Sequence, residues 1–427
     1  MTSSRPTNVR WMIVLLLMGF TFLGHFNRVS ISVAGSERFI SPDGLTKVEM
    51  GRVYSAFLLV YTIGMLPGGW LIDRLGPKFA LTAMGLGMGL CVVLTGMLGW
   101  LGLAVAALLM PLLVIRGMAG AMSMPLHPAA ARSVSLWVPL RGRSAANGLV
   151  TAGALVGIAL TYPGFGWLMD HFDWPLAFVV CGGVLIAFTW VWYVLAADNP
   201  AAHPQSNAAE QHLASGGLDT PARTTGTVKD LLGMLGNRSL ILLTLSYGAL
   251  GYFQYLFFYW IEFYLNDELH LPKSESREAA FTVTIAMAVG MALGGWVSDL
   301  ACRLFGRRRG CLGIALVGMG MSAVFGCLGI ATADPQKVVW CFSLSMGSLG
   351  LCEGIFWTTA PLLANRNGGL ACAFLNTGGN AGGMIAPAIT PWLAERYDWT
   401  TAIVVACSVC AVGGIMWLGI RPPRDGQ

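Results

Sequence analysis

Two arginines lie inside otherwise apolar stretches of the chain. Arg28 belongs to the run that begins at Trp11, and Arg116 lies within Leu112–Gly120. A guanidinium at the centre of a bilayer costs at least about 2.5 kcal/mol, so it is expected to face a water-filled cavity and to meet negative charge. Because a guanidinium binds a carboxylate through two parallel hydrogen bonds, the pair predicts an anion-binding cavity. The plainer interpretations are that Arg28 snorkels to the membrane surface and that Arg116 is an ion-pair partner between helices.

Two histidines near these arginines are candidates for carrying a coupled proton. His25 lies about one helical turn before Arg28. His127 follows Ser123 by four residues, which places those two on one face of a continuous helix. Imidazole titrates near neutral pH, so either ring could bind a transported proton. The alternative for each is a neutral histidine that is hydrogen-bonded between helices.

Acidic and polar side chains in the second half of the chain are further candidates. Glu353 is predicted deep in an apolar run, where a carboxylate is by default a functional hypothesis. Glu262 lies nearer the end of its run and is alternatively an interfacial residue. Phenol and amide groups on two runs predict either substrate contacts or hydrogen bonds between helices. They are Tyr252, Gln254, Tyr255, Tyr259, Asn376 and Asn380.

The elements that must position these residues are membrane-spanning helices. About 20 apolar residues are needed to cross the hydrocarbon core. Twelve such runs follow one another, which predicts an all-α membrane protein. They cover residues 11–35, 51–72, 79–100, 103–131, 145–169, 176–196, 238–263, 279–299, 311–332, 336–361, 370–394 and 400–420.

One long polar stretch interrupts this series. Residues 197–236 are rich in Ala, Ser, Thr, Pro and Gly. Because such a composition cannot bury a core, it predicts a mobile linker, placed in the cytoplasm. The chain is thereby predicted to form two six-helix bundles, residues 1–196 and 237–427.

The overall composition disfavours several classes of protein. The chain has 427 residues, 55% hydrophobic and 11% charged, whereas soluble domains carry roughly a quarter charged residues. Its net charge of +5 is scattered between apolar runs, which argues against a nucleic-acid surface. Most of the 10 Cys lie inside those runs without metal-ligand spacing. No catalytic segment or Walker loop stands outside the runs, so no enzyme, cofactor, metal site or ATP drive is predicted.

Basic residues predict how the chain is oriented. With the N-terminus placed inside, most of the 26 Lys and Arg residues fall on inner segments, and both termini are cytoplasmic. Arg5 and Arg10 precede an apolar run that continues past Phe20 without a small-residue cleavage site, so a retained helix is predicted. The compact loops favour a bacterial inner membrane.

A sequence repeat relates the two halves. Gly69-Trp-Leu-Ile-Asp73 follows the second run and Gly295-Trp-Val-Ser-Asp299 follows the eighth, each ahead of a basic loop. The first copy, completed by Arg74, Gly76 and Lys78, matches the pattern G-x-L-x-D-R-x-G-x-K/R. It resembles the signature loop of the major facilitator superfamily, in which this loop is a cytoplasmic gating latch. The plain alternative is a basic loop that only sets topology.

Within that superfamily the chain is most similar to the anion:cation symporter group, which includes sugar-acid and organic-anion transporters. Stretches of the first, fourth, seventh and eleventh runs carry the likeness: Asn27–Ala34, Arg116–Pro128, Trp260–Leu265 and Asn376–Pro387. The resemblance implies the twelve-helix major facilitator fold. It implies that Arg28 binds the substrate carboxylate and that Arg116 lies beside the site. Polar residues of the seventh and eleventh helices would bind sugar hydroxyls.

Two departures from the group bear on coupling. Asn27 and Ser123 stand where proton-coupled members have the acids that titrate. Because neither Asn nor Ser can titrate, proton symport by the usual residues is in doubt. His25, His127 and Glu353 are the predicted substitutes.

Together these features predict a secondary transporter that moves a small organic anion, a carboxylate or a sugar acid, by alternating access. The predicted protein is a monomer in the lipid bilayer, with a proton or another ion as coupling partner. The alternative is a drug/proton efflux transporter of the same superfamily, which requires acidic residues in the cavity and a cationic substrate. Arg28 and Arg116 disfavour that alternative, whereas Glu353 favours it.

Overall fold

The computed structural model describes residues 5–139, 143–215, 234–363 and 368–421. Within these ranges the side chains of residues 66–74, 143–145, 215 and 368–370 lie outside the description. Helices dominate because apolar segments in lipid must satisfy every backbone N–H and C=O internally. The helices are α1 Val9–Ala34, α2 Lys47–Leu75, α3 Pro77–Met97, α4 Leu109–Ser123, α5 Leu126–Trp137, α6 Arg143–Leu195, α7 Ala208–Ser215, α8 Arg238–Phe263, α9 Lys273–Phe305, α10 Arg307–Ile330, α11 Pro335–Gly350, α12 Glu353–Leu363, α13 Gly368–Arg396 and α14 Trp399–Met416.

The predicted all-α membrane architecture is confirmed. Among the described residues, 9 helical stretches are long and apolar enough to cross a membrane. One of them, Ala146–Leu195, contains Asp173 in a non-helical conformation with φ 61°, which divides α6 into two helices. Helices α2 and α13 are each 29 residues long. Every predicted run therefore falls on a helix, with ends that differ by a few residues.

Two of the predicted runs are interrupted. The fourth divides into α4 and α5 at Met124–Pro125, because proline lacks the N–H of a regular helical hydrogen bond. The tenth divides into α11 and α12 at Leu351–Cys352. The expectation that Ser123 and His127 share one continuous helix is therefore wrong. Glu353 lies inside the tenth run as predicted, and it is the first residue of α12, where the helix dipole favours a carboxylate.

The chain divides into two compact units. The first comprises Met1–Ala34 and Leu59–Arg223, and the second comprises Gly35–Leu58 and Thr224–Gln427. The chain thus also passes between units directly after α1, where a π-helical turn, Gly35–Phe39, follows. The domain boundaries expected at residues 197 and 236 stay a prediction.

Close backbone contacts pack the helices within each unit. In the first unit α1 packs along α6, where a Cβ on Gly157 would lie 2.3 Å from the carbonyl oxygen of Phe22. In the second unit α8 packs along α13, where a Cβ on Gly251 would lie 2.3 Å from the carbonyl oxygen of Gly379. Only glycine permits these distances, and such small-residue contacts are typical of helix pairs in membranes.

The predicted linker is structured over its first part. Its helix α7 carries Glu210, which is fully buried. The Glu210 carboxylate accepts hydrogen bonds from the Arg10 backbone N–H at 3.0 Å, from the Arg10 guanidinium at 3.2 Å, and from the Thr7 hydroxyl. A carboxylate at the start of α1 is favoured by the helix dipole. The expectation of a mobile linker is therefore wrong up to residue 215, and residues 216–233 lie outside the described ones.

Candidate functional site

Both predicted arginines are buried in the first unit, and one contact joins them. Arg28 is 7% exposed and Arg116 is 4% exposed. Arg116 Nη2 donates a hydrogen bond to the backbone carbonyl of Arg28 at 3.1 Å, which ties α4 to α1. The Arg28 guanidinium carbon lies 5.6 Å from the centre of the Tyr61 ring on α2, within the range of a cation–π contact. The structure therefore buries Arg28 against an aromatic ring inside the unit.

Four helices of the first unit, including the two that carry these arginines, contain no acidic residue. Helices α1, α3, α4 and α5 contain no Asp or Glu residue along their whole lengths. A buried charge is unfavourable unless an opposite charge or hydrogen bonds compensate it. This part of the first unit can therefore attract a small anion, and a carboxylate is the group that best matches a guanidinium.

The two predicted histidines face each other in the same unit. The Nε2 atoms of His25 and His127 lie 3.5 Å apart, and their ring centres are 5.1 Å apart. His25 Nδ1 lies 2.9 Å from the carbonyl oxygen of Thr21, which can only accept, so Nδ1 is the donor in this contact. In the neutral ring Nε2 is then an acceptor that faces His127. One added proton can be shared between the two rings.

The residues that replace the group's acids are bonded within their own helices. Asn27 Nδ2 donates to the Leu23 carbonyl at 2.9 Å, and the Ser123 hydroxyl donates to the Ala119 carbonyl at 2.8 Å. Neither side chain can exchange a proton in the usual way. Tyr61, by contrast, is a site residue that sequence reasoning misses, because an aromatic ring in an apolar run is ordinary.

A carboxyl group of the second unit is held by two donors. Glu353 Oε1 accepts hydrogen bonds from the Tyr247 hydroxyl at 2.5 Å and from the Trp357 indole N–H at 3.0 Å. Glu353 Oε2 is buried and has no hydrogen-bond partner in the part of the chain that the structure describes. A carboxyl group with one free oxygen can accept a proton or a cationic group. The sequence predicts Glu353, but not the two donors that orient it.

The other predicted polar residues of the second unit lie on α8 and α13. Tyr255 packs on Gly383, where an added Cβ would lie 2.6 Å from the ring, and Tyr259 stacks on Tyr54 with ring centres 4.9 Å apart. These rings take part in helix packing, and their contact with substrate stays a prediction. The remaining members are Tyr252 and Asn380, which are buried, and Gln254 and Asn376, which are half-buried.

Glu262 is buried rather than exposed at an interface. It is 3% exposed near the end of α8, and its carboxyl group lies within hydrogen-bonding reach of the Glu37 carboxyl and of Ser36. Glu37 in turn binds Arg277. The sequence does not single out Glu37 or Arg277, because charged residues between apolar runs are usually solvated.

The predicted gating loop is described in part. The side chains of Gly69, Asp73 and Arg74 lie outside the described residues. Gly76 adopts a positive φ of 85°, which favours glycine, and the next turn begins α3. Asp198 Oδ1 accepts the Lys78 backbone N–H at 2.8 Å, and Lys78 Nζ lies 5.1 Å from the centre of the Tyr193 ring. Asp198 thus fixes the corner between α2 and α3.

Long apolar helices, buried guanidinium groups and two sequence-related halves together define a polytopic membrane protein of the transporter class. The chain belongs to the Major Facilitator Superfamily, whose family model matches residues 17–304 and 265–427. It is therefore a multi-pass integral membrane transporter and not an enzyme.

Three relatives align with most of the chain. The D-galactonate transporter of Escherichia coli O6:H1 is 27% identical over 434 residues, which cover 97% of this chain and 96% of the relative. The probable sulfoacetate transporter SauU of Cupriavidus necator is 29% identical, with 97% and 94% covered. The probable galactarate/D-glucarate transporter GudP of Bacillus subtilis is 28% identical, with 89% and 91% covered. The predicted resemblance to sugar-acid and organic-anion transporters is confirmed.

Solved structures share the fold. A bacterial homologue of the human lysosomal transporter Spinster, in an inward-facing and unoccupied conformation, aligns with a TM-score of 0.72 at 15% identity, covering 97% of this chain and 95% of that one. The xylose transporter XylE of E. coli aligns with a TM-score of 0.72 at 13% identity, covering 99% and 100%. At this identity the likeness concerns the fold alone, and it confirms the predicted major facilitator architecture.

Proposed function

We propose that the protein transports a small organic anion, a sugar acid or another carboxylate or sulfonate, by alternating access. Arg28 binds the acidic group, and Arg116 supports it from α4. The proposal rests above all on two buried guanidinium groups, which lie on α1 and α4, helices that contain no Asp or Glu residue. A guanidinium group matches the carboxylate or sulfonate group of such a substrate.

The relatives support this class of substrate. Their names specify D-galactonate, sulfoacetate and galactarate or D-glucarate, all of which are small organic anions. In this chain the polar residues of α8 and α13 would contact the hydroxyl groups of such a substrate. In the major facilitator fold the two halves rock about a substrate site near the midplane.

The same proposal assigns proton coupling to His25 and His127. The charged group that acts on both rings is the Arg28 guanidinium, and Arg116 lies next to Arg28. An anion bound at Arg28 would offset this positive charge and favour an added proton on the paired rings. Anion and proton would then bind cooperatively, which is the basis of symport.

A binding experiment with purified protein tests the substrate class. D-galactonate, D-glucarate and sulfoacetate are compared with neutral galactose by the rise in melting temperature, and uptake into proteoliposomes is then measured for the ligand that stabilises most. We expect Arg28→Ala to weaken anion binding by about 10- to 100-fold, because a hydrogen bond to a charged group contributes about 1.5–3 kcal/mol. Arg52→Ala is the matched control, since Arg52 is exposed on α2.

Equal anion binding by Arg28→Ala and by the unchanged protein would overturn the carboxylate role. The alternative function, cation efflux, is supported by one observation, the Glu353 carboxyl between Tyr247 and Trp357. It predicts stabilisation by lipophilic cations that is lost in Glu353→Gln. Stabilisation by cations and not by anions would favour this second function.

A further inference from the structure

A buried ion pair lies in the second unit, just beyond the end of α1. The π-helical turn Gly35–Phe39 carries Glu37, whose carboxylate accepts hydrogen bonds from Arg277 Nε at 2.7 Å and from Arg277 Nη2 at 2.8 Å. The side chains are 2% and 7% exposed. Two parallel charge-assisted hydrogen bonds make this a strong and directional pair.

A second carboxyl group, that of Glu262, contacts this pair. The Glu262 carboxyl lies within hydrogen-bonding reach of the Glu37 carboxyl and of the Ser36 side chain. Because an ionised carboxylate can only accept, two carboxyl groups hydrogen-bond to each other only when one of them is protonated. Glu262 Oε2 has no hydrogen-bond partner among the described residues, which a neutral acid tolerates better than a carboxylate does.

The other positively charged groups nearby do not supply the positive charge that this proton would provide. Lys273 Nζ lies 3.8 Å from Glu37 Oε2 but its side chain is 45% exposed, so its contribution is small. Lys47 of α2 pairs with Asp267 and Glu268 of the turn that follows α8. Arg277 is therefore the main buried counter-charge.

The other ionisable side chains nearby bond to other groups or are exposed. Arg38 donates to the backbone carbonyl of Glu37 at 3.5 Å, and Glu49 on α2 accepts from Thr46. Glu275 and Glu278 of α9 and Arg52 of α2 are exposed to the surroundings. One buried guanidinium thus faces two carboxyl groups.

We propose that Glu37 and Glu262 share one proton, and that this proton and Arg277 together fasten the Gly35–Phe39 turn to α8 and α9. Loss of the proton would leave two carboxylates in contact beside a single guanidinium. Their repulsion would loosen the turn. The turn directly follows α1 in the chain. The proton site itself stands independently of which substrate is transported.

Infrared difference spectroscopy tests the shared proton. The spectrum of the purified unchanged protein at neutral pH, minus that of Glu262→Gln, should contain the C=O stretch of one protonated carboxylic acid. Glu278→Gln is the matched control, because Glu278 lies next to Arg277 on α9 but is exposed. Its difference spectrum should contain only an ionised carboxylate. Absence of a protonated-acid band for Glu262→Gln would overturn the proposal.

Melting temperatures measured at a series of pH values test whether the shared proton stabilises the attachment of the Gly35–Phe39 turn to α8 and α9. If the folded protein binds one more proton than the unfolded chain near neutral pH, its melting temperature should fall as pH rises, by about 1–2 °C per pH unit. Glu262→Gln should abolish this slope, because its amide donates to Glu37 at every pH. A slope that is unchanged in Glu262→Gln would contradict the proposal.

Should Glu262→Gln fail to fold, the unchanged protein still decides the question. Its protonated-acid band should disappear over the same pH range in which its melting temperature falls, and a band that persists throughout that range would contradict the proposal. Glu353→Gln identifies any part of the band that comes from Glu353, the carboxyl group held by Tyr247 and Trp357. Neither measurement needs a substrate, so the proton site and the proposed anion transport fail separately.

Discussion

His25 lies about one helical turn before the fixed positive charge of Arg28, and its ring faces that of His127 at 3.5 Å between the Nε2 atoms. In water two neutral imidazoles bind protons near neutral pH without cooperation. Under the proposed coupling, the Arg28 guanidinium opposes an added proton until an anion binds. Coupling of this kind would depend on charge balance and would need no carboxylate on α1 or α4.

Replacement of His127 by Gln should make the affinity for the anion less dependent on pH. In the unchanged protein we expect anion affinity to rise as pH falls below about 6.5, where an ordinary imidazole takes up its proton, by at most about tenfold per pH unit for one linked proton. In His127→Gln the slope should be shallower, because His25 loses its ring partner. Titration calorimetry with D-galactonate at several pH values measures the slope.

The control for this experiment is His171→Gln. His171 is exposed on α6, and its Nδ1 lies 2.8 Å from the carbonyl oxygen of Trp167, so it should leave the slope unchanged. An identical slope in His127→Gln and in the unchanged protein would remove the histidine pair from the coupling step.

At the residue scale, the sequence predicts buried charge well and its partners poorly. Arg28 and Arg116 stand out because an arginine in an apolar run is costly. Glu37 and Arg277 escape notice because 240 positions separate them, and neither lies in the middle of an apolar run. Tyr61 is not singled out either, because an aromatic residue in an apolar run is common.

At the scale of the helices, glycine contacts decide which pairs pack closely. A Cβ on Gly290 of α9 would lie 2.0 Å from the carbonyl oxygen of Gly347 on α11, whereas a Cβ on Gly295 of the same helix meets nothing within 4 Å. Both glycines lie on α9, but only Gly290 is in close contact with a neighbouring helix.

Gly290→Ala should therefore destabilise the protein by about 1–3 kcal/mol, because α9 and α11 must move apart. Gly295→Ala on the same helix should be neutral or stabilising by at most about 1 kcal/mol, because alanine is the better helix former. Melting temperatures of the two purified variants in one detergent measure the difference. Equal melting temperatures would mean that this contact does not limit the packing.

Helix interruptions mark the limit of prediction at this scale. The break at Met124–Pro125 has a visible cause in the sequence, since proline cannot donate a backbone hydrogen bond. No proline stands at the break at Leu351–Cys352, so the sequence does not show where this interruption falls. Hydropathy therefore predicts that a segment spans the membrane, but not where it is interrupted, and the place of Glu353 depends on that interruption.

For the whole molecule, the apolar runs predict the fold because few folds satisfy so many buried backbone groups. They do not predict that Gly35–Leu58 belongs to the second unit. That grouping arises from contacts such as the one between Glu37 and Arg277, which join distant parts of the chain. Sequence order alone suggests a division at the linker.

The placement of both termini in the cytoplasm is tested by protease protection. Short epitope tags at the N-terminus and the C-terminus should be digested in inverted membrane vesicles and protected in intact spheroplasts, as the distribution of Lys and Arg requires. A tag inserted at exposed Ala333, between α10 and α11, should be digested in intact spheroplasts and protected in inverted vesicles, as expected for a predicted outer loop. Digestion of the two terminal tags on opposite sides would contradict an even number of membrane crossings.

The corner at Gly76 has a counterpart in the second half, and the two have diverged. Gly306 has a similar φ of 78° before α10, but a Cβ there would meet nothing within 4 Å, whereas at Gly76 it would lie 2.7 Å from Asp198 Oδ1. Asp198 therefore closes the space beside the first corner, whereas the space beside the second corner is open. A fluorescent reporter grafted beside Gly306 would consequently disturb little, while the same graft beside Gly76 would displace Asp198.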